Sequence, residues 1–518
     1  MAATRTLIDA LRLHLQSQSG QPVQLVETHI SWVLLTDTLA YKLKRPVHLA
    51  FVDFSTLAQR KHFCEEELRL NRRLAPSLYL RVVPICGSAQ APRIDGGGEP
   101  IDYAVCMRRF APDALLSERL VAGSPLAEHL ESFARRLAAF HQEAPIAPIV
   151  PGRDDTERVT GPVFEVLRQL RPHVDAARIR ALESWIGAQA DALGDVWPAR
   201  QRSGRVRECH GDLHLANVVL LDSEVTAFDC LEFAPTLRQT DVISDVAFLT
   251  MDLKANGRSD LAFRFLDAYL QCSGDYAGVR VLRFYEVYRA LVRALVGCLR
   301  AAGDDDTRTP SGSDYIGCAE NLMQHTDQAA RLLITHGVSG SGKSTLAQEL
   351  LAMAGAIRLR SDVERKRLFG LSALERSTDR AQIYTPDATR RTFDRLAQCA
   401  RTALLSGYPV VVDAACLRRD ERDAFRALAA DLQLPFTILR CTAHDERLRE
   451  RVEMRAASGS DPSEADVAVL ARQLQHLEPL ADDERAFVIE AATDDSVDAR
   501  SLCQRWLTWI NRPSRSTA

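Results

Sequence analysis

Leu7, Ile8, Leu11 and Leu15 of MAATRTLIDALRLHLQSQSG recur with helical spacing, which predicts that the mature chain opens on an amphipathic surface helix. Strand-like runs follow. Residues 29–36 and 39–45 read as two strands joined by the turn Thr36-Asp37-Thr38, and residues 80–86 and 101–107 as two more around the Gly-rich turn 95–99. Between these pairs, residues 55–74 (STLAQRKHFCEEELRLNRRL) predict a helix with Ser55 placed to cap its N-terminus. Beyond a hinge at 108–112, apolar residues three and four apart predict helices over 125–142, 162–170, 176–193, 259–271 and 279–302. The polar stretch 303–313, GDDDTRTPSGS, reads as a loop or hinge, and 314–330 as a helix. The pattern then changes: short apolar runs at 332–335, 357–360, 409–413, 436–441 and 487–490 alternate with helical segments, which predicts a doubly wound parallel sheet.

Composition narrows the function classes. A chain of 518 residues exceeds what one core serves, so two to four domains or lobes are expected, and 46% hydrophobic with 26% charged residues describes a globular protein. A net charge of -4 and a pI near 6.4 give no electrostatic reason for nucleic acid or an anionic membrane as a main partner. Twelve cysteines without any CxxC pair, several inside apolar runs, point to buried reduced thiols and a cytoplasmic protein. No uncharged run approaches the ~18 residues of a membrane span.

The first candidate chemistry lies at residues 208–233, ECHGDLHLANVVLLDSEVTAFDCLEF, where His210, Asp212 and Asn217 share a short loop and Asp229 follows a strand-like run. That layout suits phosphoryl transfer: one carboxylate takes a hydroxyl proton, while an amide and a second carboxylate hold magnesium. Plain turn chemistry is the alternative. Upstream, Lys42 and Lys44 share one strand face and Glu65, Glu66 and Glu67 lie on the following helix. A strand lysine clamped by a helix glutamate positions nucleotide phosphates. Lys42 fits better than Lys44, because Ala40 shares its face and leaves room for an adenine ring. Glu66 is the preferred partner, because Leu70 lies one turn further to pack the core. Lys44 and the neighbouring glutamates stay open as alternatives.

In this order, strand lysine, helix glutamate, H-G-D-L-H-L-A-N and F-D-C-L-E, residues 20–300 resemble the aminoglycoside phosphotransferase and choline kinase group of the protein-kinase-like fold. The resemblance implies Asp212 as catalytic base, Asn217 and Asp229 as magnesium ligands, Asp245 as a carboxylate supporting the loop, and His210 as a residue that orders it. The sequence departs from typical kinases in having no Gly-rich loop between its first two strands, where only the turn at Asp37 covers the phosphates. It also carries no dense acidic cluster suited to a polycationic aminoglycoside. His210 and His214 stand four apart without the glutamate of a zinc-binding helix, and Gly211 breaks any helix between them. Glu232 is open between a substrate or metal contact and a turn cap.

The second candidate is the stretch Gly337, Val338, Ser339, Gly340, Ser341, Gly342, Lys343, Ser344, Thr345, placed between a strand and a helix. This is the context a phosphate-binding loop requires: glycines let backbone N–H groups converge on phosphates, Lys343 pairs the β and γ phosphates, and Ser344 offers its hydroxyl to magnesium. Asp413 ends an apolar strand where a Walker-B-type carboxylate supports the metal, with a turn cap as the plain alternative. Asp362 lies where small-molecule P-loop kinases keep a carboxylate for the acceptor hydroxyl. Arg447, Arg449, Arg451 and Arg455 precede a Gly-Ser-Asp-Pro loop on one helix. This is either a solvated charged helix or a lid that brings Arg451 and Arg455 onto the transferring phosphoryl group. Residues 331–510 resemble gluconate-kinase-like and zeta-toxin-like P-loop kinases.

The two resemblances imply an α/β and α+β chain. A bilobal protein-kinase-like domain spans 1–302, with a small lobe at about 20–110 and a helical lobe at 111–302. A linker and connecting helix over 303–330 lead to a P-loop domain over 331–518 with a doubly wound parallel sheet. ATP and Mg2+ are the implied cofactors and small hydroxyl-bearing molecules the acceptors; the sequence leaves the oligomeric state open. Two other readings stand beside this one: one half is a nucleotide-binding regulator of the other, or the P-loop half phosphorylates a nucleotide-sugar or a nucleic-acid end.

Overall fold

The computed structural model describes residues 2–49, 52–149, 155–302, 313–324, 329–376, 383–458 and 461–509. It is a mixed α/β chain in which a part built on an antiparallel sheet is followed by a part built on a parallel one. The chain gathers into two compact units. The first comprises Met1–Arg136, Phe140–Gly152 and Ala199–Leu249; the second comprises Leu137–Ala139, Arg153–Pro198 and Thr250–Ala518. Residues 303–312 of the expected linker and 325–328 of the expected helix lie outside the described residues, and that helix is seen over Tyr315–Gln324.

In the first unit a six-stranded antiparallel sheet runs in the order Gln24–Glu27, Ser31–Leu35, Leu39–Lys44, Pro100–Arg108, Tyr79–Gly87, Pro92–Ile94. The two outermost strands escape the sequence pattern, because four and three residues are too few to show an alternation. Period-two sorting of side chains does the rest. Tyr41 and Leu43 join Trp32, Leu34, Val83 and Ile85 in a core closed by Leu7, Ile8, Leu11 and Leu15 of the helix Ala2–Ser19. Ala40, Lys42 and Lys44 therefore share the opposite face, where Lys42 and Lys44 reach the helix Leu57–Asn71 through Glu67.

That helix is capped by Thr56 rather than by Ser55. The Thr56 hydroxyl accepts from Gln59 N at 3.2 Å while the Gln59 side chain accepts from Thr56 N at 3.3 Å, the reciprocal pair that a Thr-x-x-Gln spacing permits. Counted from Ser55, the same position falls on Ala58, which has nothing to return. Thr56→Ala is expected to cost about 1 kcal/mol and Ser55→Ala much less, a difference that denaturant midpoints of the two variants measure.

The second unit contains a five-stranded, all-parallel sheet in the order Ile357–Arg360, Val410–Asp413, Leu332–His336, Phe436–Thr442, Val488–Ala492. The strand that comes first in the chain lies in the middle, and later strands are added on one side and then on the other, which is the doubly wound arrangement. The helices Ser259–Ser273 and Val279–Ala302 belong to this same unit. Gly355 ends the helix Lys343–Ala354 at φ 64°, and the Phe263 ring lies 2.9 Å from where a Cβ on Gly355 would stand. All twelve cysteines are free thiols and nine are buried. Among the described residues no helix is long and apolar enough to cross a membrane.

Candidate active sites

The first site is built by the strand Leu39–Lys44, the helix Leu57–Asn71, the loop 209–217 and the ribbon Val218–Leu221 with Glu224–Ala227. Lys42 Nζ donates to Glu67 Oε1 at 2.9 Å and to Asp229. Lys44 Nζ donates to the other oxygen of Glu67 and to Glu232. The expected partner of Lys42, Glu66, is instead bound to Arg69 at 2.9 Å. Helix phase explains why Glu67 takes this place. Arg60, Cys64, Glu67 and Asn71 form the buried stripe, and Glu66 lies about 100° away on the side of Arg69 and Arg238. Leu70 lies about one turn from either glutamate, so it could not separate them; Cys64 and Asn71 could have.

The electrostatics of this cluster follow from counting charges. Burial pushes the Glu67 carboxyl up, but the ammoniums of Lys42 and Lys44 outweigh it and hold the group down at about 2. Glu232 is equally buried and faces Lys44 with the Glu67 charge nearby, so its pKa is raised. Removing Glu67 would leave two buried ammoniums short of a counter-ion. Glu67→Ala is expected to destabilise the fold by about 3–5 kcal/mol, whereas Glu66→Ala, which loses a partly exposed pair, should cost under about 1 kcal/mol. Unfolding midpoints decide it, and an equal loss at both positions would sink the assignment.

The loop is held from beneath. Asp245 accepts from His210 N at 2.7 Å and Gly211 N at 2.8 Å, and the His141 ring lies 3.3 Å away, so it occupies the supporting position expected of it. His210 Nε2 faces the Phe228 carbonyl at 3.0 Å, while the His214 ring packs on Phe248, so the two histidines do not converge on a metal. Gly211 needs its freedom: it sits at φ 85° with Arg238 Cα 3.2 Å from a would-be Cβ. Asn217 Nδ2 donates to Asp212 Oδ2 at 2.9 Å, which fixes the carboxylate, and His214 Nε2 lies 3.4 Å from the same oxygen. The ribbon pairs Val218 with Ala227, and Phe228 N donates to Asn217 O at 3.0 Å, so Asn217 and Asp229 flank the same end.

Asp229 is held at φ 64°, a left-handed conformation that aspartate tolerates. Its N–H donates to the Tyr79 hydroxyl at 3.1 Å, and the next N–H donates to Asn71 Oδ1 at 2.9 Å. Tyr79 and Asn71 thus position the site without having been singled out for it, and Lys44, the alternative to Lys42, pairs with the same Glu67. The donor set of Asn217 and Asp229 is all oxygen, with the Asp229 side chain 42% exposed, which fits a hard divalent cation such as magnesium.

The second site begins at Leu332–His336 and ends in the helix Lys343–Ala354. Gly337, Gly340 and Gly342 lie at φ 146°, 85° and 78°. A Cβ on Gly337 would stand 2.4 Å from Cys441 O, and one on Gly340 2.6 Å from Leu448 O, so only glycine lets the loop close in this shape. Lys343 Nζ folds over the loop to Val338 O at 2.7 Å and Ser341 Oγ at 3.4 Å. Burial depresses its ammonium pKa against the opposing pull of Cys441 and Asp413, with smaller effects from Arg455 and Asp362. Asp362 itself is half-buried in the first turn of the helix Ser361–Leu368, and Thr345 is exposed.

Ser344 Oγ donates to Asp413 Oδ1 at 3.0 Å. The other oxygen of Asp413 is buried without a hydrogen bond, which leaves it for a cation; with Ser344 it fits magnesium. Two arginines stand by: Arg360 Nε at 3.3 Å and Arg358 at 3.8 Å from that oxygen. Arg360 is drawn outward by Asp461 at 3.1 Å. Of the four helix arginines, Arg447 and Arg449 are exposed. Arg451 braces the phosphate loop through Gly340 O at 3.2 Å and Thr493 Oγ1 at 3.0 Å, and Arg455 donates to Ala465 O at 3.2 Å. Gly459 and Ser460 of the expected lid loop lie outside the described residues. Ser339 N donates to Gln473 Oε1 at 2.7 Å, and the buried pair Lys366–Glu464 at 3.3 Å ties the segment after the loop to the helix bearing Asp362. Arg360 and Gln473 carried no motif and were not singled out, and Asp461 is the aspartate of the expected lid loop.

Among known proteins, residues 44–285 match the phosphotransferase enzyme family and residues 332–480 match an AAA domain. Uncharacterised proteins of Mycobacterium tuberculosis (strain ATCC 25618 / H37Rv) and Mycobacterium bovis (strain ATCC BAA-935 / AF2122/97) are each 33% identical over 454 residues, covering 86% of this chain and 89% of theirs. Of solved structures, a choline/ethanolamine kinase family protein from Mesorhizobium loti aligns at 14% identity and a TM-score of 0.39, over 61% of this chain and 95% of its own. A gluconokinase from Sinorhizobium meliloti 1021 aligns at 20% identity and a TM-score of 0.25, over 34% and 90%.

Proposed function

Since the chain belongs to one family with these mycobacterial proteins and itself carries a phosphotransferase enzyme family match followed by an AAA-domain match, we propose that it is two ATP-dependent phosphotransferases in one polypeptide. Each module, within residues 1–302 and 331–518, moves the γ-phosphoryl group of ATP to a hydroxyl of a small molecule. One observation supports the reading: each site gathers a lysine, carboxylates and oxygens of the kind that phosphoryl transfer needs. These are Lys42, Asp212 and Asn217 with Asp229 in the first, and Lys343, Asp362 and Ser344 with Asp413 in the second.

Magnesium bound by those oxygens would neutralise phosphate charge. The rest is the work of the chain. In the first site Asp212 takes the proton of the acceptor hydroxyl as its oxygen bonds to the γ-phosphorus and the bond to the β,γ-bridging oxygen breaks. Lys42, set by Glu67, holds the phosphates. In the second, the loop N–H groups and Lys343 do so, Asp362 serves the acceptor, and Arg455 answers the charge that develops. Twelve free thiols support a reducing, cytoplasmic setting, and the modest net charge supports small molecules rather than nucleic acid as acceptors.

The test is ATP consumption over a panel of sugars, amino sugars and nucleosides by the parent, Asp212→Ala and Lys343→Ala. Each substitution should remove a different activity. If only one alters turnover and the other changes nucleotide affinity alone, one half is a regulator and the two-enzyme reading fails.

A further inference from the structure

We propose that Asp267, on the helix Ser259–Ser273 inside the stretch matching the phosphotransferase enzyme family, is a positioning residue of the phosphate-loop site, where it holds Arg358 away from Asp413. The inference rests on the reading of Ser344 and Asp413 as the metal-facing groups of that site.

Arg358 lies in the strand Ile357–Arg360 and is 5% exposed. Its guanidinium donates to Asp267 Oδ2 at 2.7 Å, to Asp267 Oδ1 at 3.3 Å and to Ser344 O at 3.3 Å, and it stands 3.8 Å from Asp413 Oδ2. Asp267 and Asp413 therefore compete for one buried cation. The present geometry gives it to Asp267 with two hydrogen bonds and leaves Asp413 Oδ2 with none. The same device acts on the other side, where Arg360 is shared between Asp413 and Asp461. A carboxylate flanked by two guanidiniums stays available to a metal only while each guanidinium has a better partner elsewhere. For Arg358 that partner comes from a helix that the sequence assigns to the other catalytic module.

The helix makes a second attachment four residues on. Arg367 donates to the carbonyls of Gln271 and of Cys272, the latter at 3.2 Å, and Arg395 donates to Gly274 O at 3.3 Å. These carbonyls are at the helix C-terminus, where no intrahelical donor remains and the dipole favours cations. Buried Glu364 accepts from Arg367 at 3.0 Å and Arg395 at 3.3 Å and joins the two. The segment that carries Arg358, Arg360 and Asp362 is thus clamped at both ends to one helix. Gly274 is confined by the clamp: a Cβ there would meet the Arg367 guanidinium at 2.7 Å.

The experiment measures Mn2+ binding by electron paramagnetic resonance in the presence of ADP. It uses the full chain carrying Asp229→Ala, so that the later site reports alone. Asp267→Asn frees the Arg358 charge to pair with Asp413, and Mn2+ affinity should fall about tenfold or more. Arg358→Met removes the competitor and should tighten Mn2+ binding, and the double variant should return to within about threefold of Arg358→Met. A purely architectural role for Asp267 would lower the unfolding midpoint and leave Mn2+ affinity unchanged, and that result overturns the proposal. If Asp267→Asn does not fold, Arg358→Met decides alone, since unchanged or weaker Mn2+ binding overturns it too. Absence of ADP-dependent Mn2+ binding in the Asp229→Ala parent would instead fail the reading of the site itself.

Discussion

Lys343→Ala is expected to lower the turnover of the later site by about a thousandfold or more while the activity that depends on Asp212 continues at the parent rate. The ammonium is half-buried against the loop it serves, with Val338 O and Ser341 Oγ as its partners, so its position is set before any phosphate arrives. One preorganised donor aimed at developing charge accounts for about 3–4 kcal/mol of transition-state stabilisation. Loss of phosphate binding adds to this, and truncation at Cβ leaves no cation in the loop. Separate initial-rate assays with the acceptors of the two sites check it. Equal loss of both activities would mean that the sites do not turn over independently.

Asp212→Ala is expected to do the converse, reducing the first activity by about a thousandfold in kcat with little change in KM for ATP. The split follows from the geometry. Asp212, with the proton-transfer role proposed for it, is fixed by Asn217, whereas Lys42, proposed to hold the phosphates, is fixed by Glu67 and Asp229. Asp212→Asn keeps the shape and the contact with Asn217 but cannot accept the proton, so it should match the alanine variant in kcat. An asparagine variant near the parent rate would assign Asp212 to positioning alone.

What could be read from the sequence depended on whether a residue's role was set by its own backbone or by a distant partner. Gly337, Gly340 and Gly342 were legible because the loop imposes positive φ on each and the motif states that need. The face shared by Lys42 and Lys44 was legible from period-two alternation. The choice among Glu65, Glu66 and Glu67 was not, because three consecutive glutamates differ only in helix phase, and the phase is set by what Cys64 and Asn71 pack against. Nor were Asp461 and Asp267 legible, since each acts through an arginine about a hundred residues away in the chain. For the helices Ser259–Ser273 and Val279–Ala302, apolar periodicity showed that one face is covered, but not that they group with the later sheet.

That grouping has a consequence for synthesis. At about 5–20 residues per second, the ribosome takes on the order of ten seconds to pass from the end of the helix Ser259–Ser273 to the strand Ile357–Arg360. Through that interval Asp267, buried in the finished protein, awaits the arginine that will pair with it. A nascent chain halted between residues 303 and 330 would carry this helix before the arginine partner of Asp267 exists.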